Sequence, residues 1–108
     1  MIPVERLPDF IADYEARFGW YLREGGEAIA LRFEAAVEES FIRLSRQPTL
    51  GRVRRFPHPK LFNLRSFAVC KPFDKNLIFY RSDGNMVVMW RLIHGARDLG
   101  RRLLDLNN

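Results

Sequence analysis

Arg65, Arg81, Arg91, His94 and Arg97 are the residues of this sequence best equipped for chemistry on an anion. They lie on or just after three segments that read as strands. Adjacent antiparallel strands can bring such positions together on one face. Cleavage of RNA is the reaction that such a set suggests. It needs a base for the 2′-hydroxyl, cations for the phosphorus centre and an acid for the leaving oxygen. Arginine supplies the cations but stays protonated, so it cannot be the base. The carboxylates of the basic half, Asp74, Asp83, Asp98 and Asp105, fall in turns or in the last helix. His94 is then the candidate, with His58 and Tyr80 more remote. A histidine at a strand end also serves as a structural hydrogen-bonding residue, and both roles stay open for His94. Arg65 and Arg81 share strand faces with apolar neighbours, where an unpaired guanidinium is costly. Each must sit at a sheet margin, pair with an acid such as Asp98, or await an external anion.

Other chemistries find no residues. His58 and His94 are the only imidazoles and Cys70 the only thiol, so no metal site and no internal disulfide is expected. No glycine-rich phosphate loop and no Gly-x-Ser-x-Gly elbow occurs. No cofactor is expected. Cys70 falls on what reads as the apolar face of a strand, where a buried, inert thiol is expected.

Charge points to the partner. The net +5 conceals two unlike halves. Residues 1–45 hold five arginines against nine carboxylates, a net of −4; residues 46–108 carry +9. Arginine outnumbers lysine fifteen to three, which suits bidentate pairing with phosphate or carboxylate. A partner of acidic character, nucleic acid or a protein segment, follows. The residues offered to it are Arg52, Arg54, Arg55, Arg65, Arg81, Arg91 and Arg97.

The elements that position these residues are legible in the pattern. Ile2 to Arg6 reads as a short edge strand. Pro8 and Asp9 open a helix whose apolar stripe is Phe10, Ile11, Tyr14, Phe18, Tyr21 and Leu22. Gly25-Gly26 breaks it. A second helix from Glu27 to Arg46 carries Ile29, Phe33, Val37, Phe41 and Leu44. Gln47 to Gly51 is turn chemistry, and Arg52 to Lys60, with Pro57 and Pro59, reads as a basic loop. Leu61–Cys70, Asn76–Arg81 and Met86–His94 read as strands. Asp83-Gly84 marks a hairpin between the last two. The near-continuous apolarity of Met86–His94 places it centrally. Asp98 is suited to cap a last helical stretch with Leu99, Leu103 and Leu104. The expected architecture is α+β: one domain over 1–108, with an N-terminal helical hairpin on a small, mainly antiparallel sheet and a short C-terminal helix. At 47% hydrophobic and 29% charged residues the chain has the apolar content to fold. Its longest apolar run, Met86–Trp90, falls far short of the ~20 residues of a membrane span. With no charged-then-apolar leader at its start, a cytoplasmic address and no membrane partner are expected.

Leu44 with Pro48 and Gly51-Arg52, then Leu64-Arg65, Ile78-Phe79-Tyr80-Arg81, and Arg91 through Leu99 (RLIHGARDL) together carry a resemblance. The chain resembles the ParE branch of the RelE/ParE superfamily of toxin–antitoxin toxins, of the plasmid stabilisation type, over essentially its whole length. The resemblance implies a toxin that inhibits growth, wrapped by a cognate antitoxin in a hetero-oligomer. ParE-type members poison DNA gyrase; RelE-type members cut mRNA on the ribosome. The ending Leu104-Asp105-Leu106-Asn107-Asn108 lacks the tyrosine or other catalytic group common near the end of RelE-type nucleases, which favours the gyrase-directed branch. Arg65, Arg81 and His94 occupy positions that RelE-like nucleases use, so a ribosome-dependent endoribonuclease is the alternative. A basic nucleic-acid-binding module is a third.

Overall fold

The computed structural model describes residues 1–104; Asp105, assigned above to a turn or helix, lies outside them. The elements run β1 (Val4–Arg6), α1 (Pro8–Gly25), α2 (Glu27–Arg46), β2 (Arg52–Val53), β3 (Arg65–Ala68), β4 (Asn76–Ser82), β5 (Val87–His94) and α3 (Leu99–Leu104). A 3-10 turn at Pro59–Leu61 lies between β2 and β3. Two helices therefore precede a five-stranded mixed sheet and a short last helix, the α+β arrangement expected.

Pro8 starts α1 at its first position, where the absent N–H leaves nothing unpaired. Gly26 ends it at φ 88°, a left-handed conformation that glycine adopts without steric cost. Its N–H donates to the Leu22 carbonyl, and its own carbonyl accepts from Ala30 N–H in α2. One residue thus closes one helix and opens the next, which folds the pair into a hairpin.

The strand order is β1-β5-β4-β3-β2. β1 runs parallel to β5, pairing Val4 with Val87 and Arg6 with Met89. All other neighbours are antiparallel. β5 is an interior strand, between β1 and β4, and the middle strand of the five is β4. The β4–β5 register slips between Phe79 and Tyr80: Tyr80 faces Met89 but Phe79 faces Arg91, so Trp90 is the extra residue of a bulge.

Both sheet faces are covered. Ile78, Tyr80, Val87, Met89 and Leu92 pack with Phe10, Phe33, Val37, Phe41 and Leu44 of the helices. Phe79 and Ile93 on the other face pack with Leu61, Leu64, Leu99 and Leu103. The alternation along β4 divides its side chains between two cores. On α1 the contact is narrower than the apolar stripe. Phe10 is buried, whereas Ile11 and Leu22 are exposed.

Tyr80 locks the chain between α2 and β2 to the sheet. It is fully buried; its Oη accepts from Gly51 N–H at 2.8 Å and donates to the Pro48 carbonyl at 2.7 Å. A Cβ on Gly51 would lie 2.4 Å from that oxygen, so only glycine fits. Burial pushes the phenol above its ordinary value of 10.0, so it stays a donor.

Three local expectations need correction. The strand drawn over Leu61–Cys70 shortens to Arg65–Ala68, because Pro59 nucleates the 3-10 turn and Asn63 takes a left-handed φ of 61°. The basic loop contains β2, whose Arg52 and Val53 pair with Ser66 and Arg65. Cys70 is exposed, not buried. It lies past the end of β3, in a turn where its carbonyl accepts Phe73 N–H, so strand alternation no longer governs it. Among the described residues no helix is long and apolar enough to cross a membrane.

Tyr80→Phe strands the Gly51 N–H in the interior and removes the donor to Pro48. The expected loss of unfolding free energy in urea is about 1–3 kcal/mol, with the native circular dichroism spectrum retained. A loss near zero would mean that water replaces the hydroxyl.

Candidate functional site

Two of the arginines singled out above, Arg65 and Arg81, serve the backbone. Arg65 Nη1 donates to the Gly51 and Thr49 carbonyls at 2.8 and 3.2 Å. Arg81 donates to the Phe62 and Lys60 carbonyls at 3.0 and 2.6 Å, and its guanidinium lies 5.0 Å from the Trp90 ring centroid. Arg54 Nε donates to Ser66 Oγ at 2.7 Å. Each ties an irregular segment to the sheet. Burial lowers the pKa of Arg81, and burial with the charge of Arg52 lowers that of Arg54. Arg52, Arg55 and Arg97 project from the surface. His58 Nδ1 accepts Lys60 N–H at 3.1 Å and so caps the 3-10 turn.

Arg65, Arg81 and His94 do not converge. Arg65 sits opposite Tyr80 and His94 opposite Asn76. Those two β4 positions are four residues apart, roughly 13 Å along a strand. Tyr80 and Asn76 face the helices, whereas Arg81 points to the other side with Trp90. Asp98 pairs with neither arginine of the sheet; its carboxylate stands 3.6 Å from Arg101 on the surface. Among the described residues no group of three or more His, Cys, Asp or Glu could hold a metal ion.

Arg91 has an internal partner. Asp13 of α1 accepts its Nε at 2.6 Å and its Nη2 at 3.0 Å, a bidentate pair. The same carboxylate accepts Leu92 N–H at 3.0 Å. The two side chains are only 12% and 18% exposed. A carboxylate this enclosed is offset by saturating its oxygens with hydrogen bonds, and three are present here.

Beside this pair a cleft of about 400 Å³ opens between α1 and the end of β5. Its walls include Arg17, Trp20 and Arg23 from α1, His94 from β5 and Arg102 from α3, with Asn76 at the sheet. Arg102 is fixed by bonds to the His94 carbonyl at 2.7 Å and the Arg97 carbonyl at 3.1 Å. The guanidinium of Arg17 lies 5.2 Å from the Trp20 ring centroid. Burial, then the charges of Arg17, Lys75 and Arg102, hold the His94 imidazole below its ordinary 6.5. It is neutral at pH 7 and able to act as a base or acceptor.

Sequence reasoning found His94 and Arg91 here but missed Asp13, Arg17, Trp20, Arg23 and Arg102; Arg97 lies outside the cleft and offers it only a carbonyl to Arg102. A signal existed: Asp13, Arg17 and Trp20 recur at spacings of four and three, a second ridge beside the apolar stripe of α1.

Comparison with known proteins agrees with this architecture. The family model described as "ParE toxin of type II toxin-antitoxin system, parDE" matches residues 4–99. A solved structure titled "Chromosomal ParDE TA system from P. aeruginosa" is similar in fold, with a TM-score of 0.70 and 18% identity, covering 89% of this chain and 98% of that one. No curated protein sequence matches.

Two outcomes follow from this geometry. Asp13→Ala, which leaves Arg91 enclosed without its partner, is expected to cost about 3 kcal/mol in urea unfolding. Asp13→Asn, which can still accept from Leu92 N–H, is expected to cost less. Equal losses would show that the acceptor for Leu92 N–H contributes nothing beside the charge; no loss in Asp13→Asn would show the same of the charge. For His94, a folded-state pKa below 6.5 means that the unfolded chain protonates first as pH falls. Stability contributed by the neutral imidazole is therefore present above 6.5 and lost as pH drops below it. Urea midpoints compared at pH 7.5 and 5.5 should fall less for His94→Gln than for the unaltered chain; an identical fall would contradict the shift.

Proposed function

Because the chain belongs to the ParE toxin family of type II toxin–antitoxin systems, we propose that it arrests growth by binding DNA gyrase and is held silent by a cognate antitoxin. The observation that carries this reading is the match of that family's pattern along nearly the whole chain. The dispersal of Arg65, Arg81 and His94 over two faces and two ends of the sheet supports docking over in-place phosphodiester chemistry.

Neutralisation fits the surface chemistry. A disordered antitoxin segment with acidic side chains pairs with Arg52, Arg55 and Arg97, which are exposed. Arg54, Arg65 and Arg81 add positive potential behind them. Val53, Phe62 and Met86 are exposed apolar side chains near the same basic side, and folding-on-binding segments use such anchors beside charge pairs. Arg91 contributes through the fold, since Asp13 occupies it. In this reading the free toxin acts in the cytoplasm, where gyrase is found, the hetero-oligomer with antitoxin is the silent form, and the pair suits plasmid stabilisation.

The test is induction in a bacterial host with two biochemical readouts. Viable counts are expected to fall by orders of magnitude and to recover when the neighbouring antitoxin gene is co-expressed. Purified toxin is expected to block gyrase supercoiling and to leave mRNA intact in a translation extract. Cut mRNA that becomes uncut with His94→Ala, beside normal supercoiling, would overturn the gyrase reading in favour of the ribosome-dependent nuclease. Salt-sensitive binding to DNA alone, with neither effect, would favour the nucleic-acid module.

A further inference from the structure

The cleft at the end of β5 carries more positive charge than the fold uses. Four arginines, Arg17, Arg23, Arg91 and Arg102, line it against a single carboxylate, Asp13. Asp13 is already engaged bidentately by Arg91. Three cations remain around one space, beside an imidazole whose pKa is lowered by burial and then by the charges of Arg17, Lys75 and Arg102. Arg102 is fixed by two backbone carbonyls, so its charge is preorganised. Arg23 lies back over α1, where Gly19 leaves room: a Cβ there would sit 3.3 Å from its Nη1.

The other walls describe the rest of a ligand. Trp20 is 43% exposed, an unusual placement for a large aromatic side chain. It meets Tyr21 in a T-shaped contact, ring centroids 5.3 Å apart, carries the Arg17 guanidinium 5.2 Å from its own centroid, and lines the cleft. Asn76 is fully buried and spends its amide N–H groups on Tyr21 Oη and the Phe73 carbonyl. Its Oδ1 is the one buried side-chain polar atom without a partner among the described residues.

We propose that this cleft binds a nucleoside phosphate monoester, with Arg17, Arg23 and Arg102 on the phosphate and Trp20 against the base. A phosphate monoester carries about −1.5 to −2 at neutral pH and accepts several guanidinium bonds at once. A single carboxylate leaves most of the charge unmatched. An aromatic face flanked by cations is a general platform for stacking a base. Hydroxyls beside the phosphate bring the donor that Asn76 lacks; a carboxylate brings none. A space of about 400 Å³ holds one nucleotide and excludes a duplex. The site differs from the exposed arginine surface assigned to the antitoxin and does not depend on the toxin reading. The same chemistry can come from a free nucleotide or from the phosphorylated end of a strand.

The test is titration of the purified chain with AMP, adenosine, inorganic phosphate and a 5′-phosphorylated tetranucleotide, followed by calorimetry and NMR. AMP is expected to bind saturably, roughly tenfold or more tighter than adenosine. Arg17→Ala with Arg23→Ala is expected to weaken AMP by about tenfold or more, while Arg52→Ala with Arg55→Ala changes it by less than about twofold. The ring protons of His94 are expected to titrate at higher pH when AMP is bound, because the dianion opposes Arg17, Lys75 and Arg102 while Asp13 stays on Arg91. Should the double variant unfold, Trp20→Ala serves instead and is expected to weaken AMP but not inorganic phosphate. Tighter binding of the tetranucleotide than of AMP assigns the source as a strand end; the reverse assigns a free nucleotide. Adenosine binding equal to AMP, equal losses in both double variants, or no saturable binding to folded protein would each overturn the proposal.

Discussion

Where β1 ends at Arg6, its neighbour β5 continues to His94 with one edge no longer covered by a strand. A strand edge left open in this way offers its backbone groups to any passing chain. Asp13 closes it. The chain turns directly from β1 into α1 at Pro8, so Asp13 lies five residues into the helix, about 7.5 Å along its axis. That distance carries its carboxylate from the last β1 bond, Leu7 N–H to the Met89 carbonyl, to the level of Leu92 N–H. Arg91, displaced by the bulge at Trp90, arrives beside the same carboxylate. A strand pairing is thus continued by a side chain. The desolvation of two charges is offset because both carboxylate oxygens and both guanidinium edges find partners.

Much of the molecule is placed by this one junction. It sets the height of α1 on the sheet, and with it the packing of Phe10, Tyr14 and Phe18 on the helical core. Through the Gly26 hinge it also places α2. The cleft lies where α1 meets the end of β5, with Asp13, Arg17 and Trp20 on one side and His94 on the other. On the opposite face, α3 and the 3-10 turn cover Phe79 of β4 and Ile93 of β5, while Arg81, Val88 and Trp90 stay half-buried. Apart from the cleft, the margin formed by β2, the following loop and the segment before α3 presents the exposed Arg52, Arg55 and Arg97.

The sequence revealed elements wherever one periodicity acted alone. The helices were legible from their 3.6-residue stripes and from Pro8 and Gly26, and β5 from its unbroken apolarity. The segment from Leu61 to Cys70 was not, because its alternation runs through a 3-10 turn and a left-handed Asn63 that leave the hydrophobic pattern unchanged. Cys70 was misplaced for the same reason. The arginines were recognised as costly on apolar faces, but their partners were not foreseen. Arg65 and Arg81 bond to carbonyls of Gly51, Phe62 and Lys60, and backbone acceptors leave no trace in residue identity. Asp13 was read as one carboxylate of an acidic half; its contact with Arg91 spans 78 positions and follows only from the topology. Conversely, Pro48 and Gly51, read as turn residues, and Tyr80, read as a remote candidate base, are joined by the Tyr80 hydroxyl.

Membership of the ParE toxin family and the placement of the site rest on the same scaffold. The junction at Asp13 ties α1 to β5 through three hydrogen bonds to one carboxylate. Amide hydrogen exchange at Leu92 tests that claim most directly. If Asp13 ends the sheet as a strand would, the Leu92 amide should exchange only through global opening, at the rate of the β4–β5 core amides, and in Asp13→Ala it should exchange far faster while those core amides stay slow relative to it. Rapid exchange of Leu92 in the unaltered protein, or protection untouched by the loss of Asp13, would contradict the account.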